Sequence, residues 1–193
     1  MISPVNYAAL YDFTAIEVAV QAYFVSTGLF AAPPGEDDPA RKDWLPGTGA
    51  IACFTAREEN IFQKHTPRVT ILLNNLQPMA IPFKAVADGN GALRNHAWRG
   101  TLSIGLVTQP KYGIHLTTRN TVHALGEMIA PMVSDPTILL GANQFLSSGN
   151  HCIYKCENQN IDLSISEGEA AFGSVLNYQI TFGVVAGKFE AIT

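Results

Sequence analysis

The ten residues LNYQITFGVV, Leu176 to Val185, decide the fold class of this chain. Their apolar and polar side chains alternate without exception: Leu176, Tyr178, Ile180, Phe182 and Val184 against Asn177, Gln179, Thr181 and Gly183. Strict alternation is typical of an antiparallel strand with one face in the core and the other towards water. We therefore predict a half-buried antiparallel strand here.

The same alternation occurs in three earlier runs, which carry Val69, Ile71 and Leu73; Trp98, Leu102, Ile104 and Leu106; and Ile161, Leu163 and Ile165. A run with helical spacing, Thr117 to Ala130, lies between the second and third of them and carries Val122, Leu125 and Ile129. Another helix is predicted from Thr14, which with Glu17 would form a capping box, to the stop at Gly28. The order predicts one α+β domain over residues 1–193, with a mainly antiparallel sheet, two packed helices and long loops.

Composition excludes several classes of protein. The chain has 193 residues, 47% apolar and 15% charged, which argues against a disordered or nucleic-acid-coating protein. A formal net charge of -4 leaves no basic stripe for tight DNA binding. No apolar run reaches the roughly 18 residues that cross a bilayer, and the first residues, MISPVNYAALYDF, lack a basic leader. We expect a soluble protein, made in the cytoplasm and without a membrane partner.

The segment from Ala31 to Gly49 is rich in proline, glycine and acidic residues, and is predicted to be a long exposed loop. Long loops inside a compact domain are usually functional or disordered. Trp44 and Leu45 stand out as apolar residues within this charged stretch, and they predict docking onto a partner protein. The alternative is that Trp44 simply packs into its own domain.

The search for catalytic and metal-binding patterns gives no site. The chain lacks a nucleophile elbow, a phosphate-binding glycine loop and a zinc-protease motif. Cys152 and Cys156, placed in one strand, would lie on the same face roughly 13 Å apart, too far for a disulfide. Glu58 and Glu59 are adjacent and are predicted to be solvated charges. We therefore predict no catalytic residue, no cofactor and no metal.

The order of elements resembles the tail terminator, or tail-completion, proteins of long-tailed bacteriophages. In that family an N-terminal helix precedes a hairpin of long strands, a second helix crosses the sheet, and two further strands end the chain. The matching segments are Thr14 to Thr27, Arg68 to Gln77, His96 to Gln109, Thr117 to Ala130, Asn160 to Ser166 and Leu176 to Val185. They cover about half of the chain by pattern and contain no diagnostic motif.

The resemblance implies a structural virion protein and not an enzyme: a ring, six copies in the family, that caps the tail tube and joins it to the head connector or stopper. DNA would pass through the lumen without being held. Two alternatives stay open. One is another neck or tail component, such as a stopper, tube or minor capsid protein. The other is a small hydrolase or ligand-binding protein that uses His96, His115 or His123 with a carboxylate.

Overall fold

The computed structural model describes residues 13–46, 50–58, 68–79, 95–108, 131, 134–146, 151–166 and 171–185. Their elements include the α-helix α1 (Thr14–Ser26), the 3₁₀ helices Pro39–Asp43 and Pro136–Phe145, and six strands. The strands are β1 (Phe30–Ala31), β2 (Ile51–Thr55), β3 (Arg68–Met79), β4 (Asn95–Thr108), β5 (His151–Ser166) and β6 (Ala171–Val185). The protein is α+β, as the sequence predicts.

All six strands belong to one mixed sheet in the order β1-β2-β3-β4-β6-β5. The four long strands pair antiparallel, as the alternating runs predict, and β4 pairs with β6. The two short strands do not follow that expectation, because β1 pairs parallel with β2, and β2 pairs parallel with β3. The mainly antiparallel prediction therefore holds for the long strands, and the edge formed by β1 and β2 makes the sheet mixed.

One face of the sheet forms the core, and it is the face that the alternation predicts. Ile71, Leu102, Ile104, Ile180 and Phe182 are each exposed by 1% or less. The described part of the cover on this face consists of α1 and the 3₁₀ helix Pro136–Phe145, which join these strands in one apolar cluster. The predicted second helix, Thr117 to Ala130, lies outside the described residues.

Helix α1 begins at Thr14 and presents the apolar face, both as predicted, but its first turn is not capped as predicted. Its buried residues include Ile16, Ala19, Val20 and Phe24. The N-cap is Phe13, which makes no side-chain cap bond, so the predicted Thr14–Glu17 capping box is wrong. Glu17 instead accepts a hydrogen bond from the Leu73 backbone N–H at 2.8 Å. Leu73 lies two residues after Ile71, the last residue of β3 that pairs with β2. The Glu17 carboxylate therefore serves as the hydrogen-bond acceptor for β3 beyond the end of β2.

The other end of α1 follows the prediction. Gly28 has a φ of 79°, and this left-handed conformation ends the helix at little steric cost because glycine has no Cβ. The chain then enters β1 within two residues.

The 3₁₀ helix Pro136–Phe145 follows Asp135 in the chain. Pro136 stands in the first turn, where its missing N–H is not needed, and Asp135 accepts from the Thr137 backbone N–H at 3.0 Å. The helix buries Leu139 and Ala142. Its Asn143 carboxamide pairs with the Ile153 backbone at 2.9 and 2.8 Å, which anchors the helix to β5.

Strand β5 corrects the prediction for the cysteines. Its register with β6 shifts between Ile153 and Lys155, so Cys152 lies opposite Gly183 whereas Cys156 lies opposite Ile180. The bulge adds one residue and thereby reverses the face on which later side chains stand. Cys156 is buried in the core, Cys152 is partly exposed on the other face, and both are free thiols, as is Cys53.

Candidate interaction site

The predicted long loop contains a compact folded segment, residues 34–46, which we call the strap. It follows the buried Pro33 and includes the 3₁₀ helix Pro39–Asp43. Asp38 caps this helix by accepting from the Ala40 N–H at 2.8 Å. The predicted long exposed loop therefore contains a regular element, since Pro39 occupies a first-turn position that a 3₁₀ helix tolerates. Residues 47–49 of the predicted loop lie outside the described residues.

The two predicted partner-binding residues lie in different environments. The Trp44 ring is partly buried and contacts the Phe54 ring edge to face, with 6.0 Å between centroids and 78° between planes. Phe54, Ala52 and Trp44 form a small cluster separate from the main core. Leu45 is 71% exposed. Trp44 thus packs on its own domain in this structure, and Leu45 presents the more accessible apolar surface of the pair.

Buried polar groups converge at the C-terminal end of β2. Among the residues that the structure describes, the buried polar or charged side chains are Glu17, Gln21, Arg41 and Thr55. Gln21 and Thr55 both contact Glu58, as does Arg41 of the strap. The cluster joins the helix, the end of β2 and the strap at one point.

Glu58 is the centre of this polar cluster. Its Oε2 atom accepts from Gln21 Nε2 at 2.7 Å and from the Thr55 backbone N–H at 2.9 Å. Its Oε1 atom lies 3.6 Å from Arg41 Nη2, and the two side chains are only 14% and 10% exposed. The prediction that Glu58 is solvated is therefore wrong, while Glu59 lies outside the described residues. The sequence held a signal that we missed, because Thr55-Ala56-Arg57-Glu58 is a capping-box pattern and Glu58 folds back as that box requires.

Burial shapes the protonation of the acids and thiols nearby. Burial raises the pKa of Glu17, and the Leu73 N–H and the Arg57 charge oppose that rise. Burial also raises the pKa of Cys53, with a smaller contribution from the negative charge of Glu58. Gln21 completes the arrangement by donating to the Cys53 carbonyl at 2.8 Å. These acids hold structural hydrogen bonds, and Cys53 is held as a neutral thiol.

The sheet face opposite α1 is polar, as predicted from the alternation. The partly exposed side chains there include Thr70, Thr101, Ser103, Asn177, Gln179 and Thr181. Ser103 on β4 donates to Asn177 Oδ1 on β6 at 2.7 Å, which links neighbouring strands across this face. The charged side chains of this face include Arg68 of β3 and Arg99 of β4, together with Lys155 and Glu157 of β5, which pair at 2.7 Å. This face presents hydroxyl and amide groups to solvent or to a binding partner.

The structure describes one of the three histidines named in the alternative hydrolase hypothesis. His96 lies on β4 opposite Val184, and His115 and His123 lie outside the described residues. Within the described ranges no group of three or more metal-binding side chains occurs. In the same part of the chain, no helix has the length and apolar character needed to span a bilayer.

Comparisons with known proteins add no family assignment. No protein-family model matches the chain, and no curated protein matches it in sequence.

Proposed function

We propose that this protein is a structural component of a bacteriophage virion, a tail terminator. Copies of the chain form a closed ring, six in number, that caps the tail tube and joins it to the head connector or stopper. DNA passes through the lumen without specific binding. The protein is made in the host cytoplasm and resides in the neck of the virion.

The order of elements along the chain carries this proposal. Helix α1 precedes a hairpin of two long strands, β3 and β4, and a second hairpin, β5 and β6, adds to the same sheet. The resemblance to tail terminators rests on this succession together with the predicted second helix, Thr117 to Ala130, which lies outside the described residues.

The edges and the polar face of the sheet support an assembled state. Strand β5 has 16 residues and lies at one edge of the described sheet, and long edge strands offer backbone groups that pair readily with another chain. A heterologous contact of this kind either closes into a ring or grows into a filament. The polar face carries mostly hydroxyl and amide groups beside Arg68 and Arg99, and the net charge of -4 suits a surface past which phosphates slide.

Tail length tests the proposal against the alternative of another neck or tail component. Particles assembled without this protein should carry tails longer than those of the wild type, because nothing stops growth of the tube. Electron micrographs of such particles give the length distribution directly. Tails of normal length that merely fail to join heads would favour a stopper, and unchanged virions would refute both assignments.

The partner contact of the strap has its own test. Leu45→Ala removes an exposed side chain, so the isolated domain should keep its stability while attachment to tails weakens by about 2 kcal/mol if Leu45 is a hot spot. Phe145→Ala, which truncates a 41% exposed ring elsewhere, is the matched control. Trp44→Ala should also weaken attachment, but it removes the Phe54 contact as well and is therefore a less selective probe. Normal attachment of the Leu45 variant would refute a partner contact at Leu45.

A further inference from the structure

We infer that the strap is a hinged segment that opens as one body while the sheet stays folded, and that Glu58 is the latch that holds it closed. The inference goes beyond the proposed function. Only the consequence of the inference for partner docking depends on that function.

Internal hydrogen bonds hold the strap together as a unit. Asp38 N–H donates to the Gly35 carbonyl, Arg41 N–H to that of Asp38, and Trp44 N–H to that of Arg41. The Arg41 guanidinium also donates to the Pro34 carbonyl, within the same segment. A detached strap would keep these bonds, so opening does not require the segment to unfold.

Packing also separates the strap from the main core. Residues 35–40 are all exposed. The apolar anchor of the strap, Trp44, belongs to the small cluster with Phe54 and Ala52, and the main core cluster contains no strap residue. Segments with few buried apolar contacts open at lower free energy than the core does.

Glu58 is suited to act as the latch because it belongs to the body of the domain. Its bonds to Gln21 and Thr55 fix the carboxylate, and Arg41 brings the strap to it. Closing the strap takes the Arg41 charge out of water, which is costly unless a carboxylate faces it. Neutralising Glu58 should therefore favour the open strap, in which Arg41 is hydrated.

Opening has a consequence for the proposed partner contact. With the strap closed, the Trp44 ring lies on Phe54. With the strap open, Trp44 and Leu45 would be presented side by side. The latch would thus control when Trp44 becomes accessible to a neighbour in the neck.

Native-state cleavage by trypsin measures the opening in the isolated protein. Arg41 and Lys42 provide two cleavage sites within the strap, and Arg68 and Arg99 provide internal references in the sheet. Glu58→Gln should raise the cleavage rate after Arg41 and Lys42 by about ten-fold or more, with no change at the reference sites. Glu157→Gln, which neutralises the exposed partner of Lys155, is the matched control and should change neither rate.

A second variant keeps the test independent of how well Glu58→Gln folds. Arg41→Lys retains the cleavage site and leaves the bonds of Glu58 to Gln21 and Thr55 intact, yet it loses the forked contacts of the guanidinium. It should accelerate strap cleavage in the same direction. The inference is overturned if both variants cleave within two-fold of the wild-type rate, or if cleavage after Arg68 and Arg99 rises in proportion. The assay uses the isolated protein, so a negative result would contradict the latch and not the proposed ring. Evidence against the ring would likewise not contradict the latch.

Discussion

Tyr178→Phe should stabilise this protein, because the tyrosine buries a hydroxyl that has no partner. The side chain is 1% exposed, and its Oη atom is buried without a hydrogen bond. Burial, and to a smaller extent Cys156, raises the pKa of Tyr178 to about 12, so the group stays a neutral hydroxyl at ordinary pH. An unpaired buried hydroxyl costs about 1–3 kcal/mol, and removing it leaves a gap of only one atom. The expected net gain in unfolding free energy is about 1 kcal/mol.

Urea unfolding measures this gain, and Ser103→Ala provides the matched control. The Ser103 hydroxyl donates to Asn177 Oδ1, so its removal should lower the unfolding free energy by about 1 kcal/mol. Each of the two substitutions deletes one hydroxyl, and their effects on the unfolding free energy should have opposite signs. A thermal shift of about 2–4 °C per kcal/mol gives a second readout. A Tyr178→Phe variant that is destabilised as much as Ser103→Ala would show that the buried hydroxyl is satisfied, and the reasoning would be wrong.

Three further substitutions test the core, the helix contact and the edge of the sheet. Phe182→Ala removes a fully buried ring that packs against Phe13, and it should lower the unfolding free energy by about 3–5 kcal/mol. A loss under about 1 kcal/mol in urea unfolding would refute the assignment of Phe182 to the core. Burial raises the pKa of Glu17, so its contribution to stability is full at pH below the ordinary glutamate pKa and is lost as pH rises through the raised value. Glu17→Gln should therefore gain stability relative to the wild type as pH rises above the ordinary glutamate pKa, and a gap between their urea midpoints that stays constant with pH would contradict this. Asn143→Ala removes the side chain that bonds the Ile153 N–H and carbonyl, and it should lower the unfolding free energy by about 1–3 kcal/mol. Amide exchange at Ile153 should be faster in this variant than in the control Gln144→Ala, which truncates an exposed side chain.

The long strands could be predicted from the sequence because their alternation records which face is buried. Val69, Ile71, Leu102 and Ile104 show the period of two that a half-buried strand requires, and all four are buried. The parallel edge could not be predicted in the same way. Strand β1 has two residues and every residue of β2 is buried, so neither offers an alternating pattern.

Features that depend on contacts with residues distant in the chain also could not be predicted from the sequence. The bulge in β5 reverses the face of Cys156, yet nothing in the local residues distinguishes it from a regular strand. Glu17 has the spacing of a capping box, but the backbone of Leu73 draws its carboxylate away. The position of Trp44 on Phe54 depends on how the strap folds over β2, which spacing alone does not determine. The Thr55–Glu58 capping box, in contrast, could have been read from the sequence.

The native mass of the purified protein, alone and after mixing with tail tubes, tests the proposed ring most directly. The proposal predicts a discrete species of six times the 20.8 kDa chain mass, either in solution or on the end of the tube. Its copy number should not rise with protein concentration, because a closed ring has no free contact for a further subunit. A protein that stays monomeric at high concentration and does not bind tails would contradict the proposal.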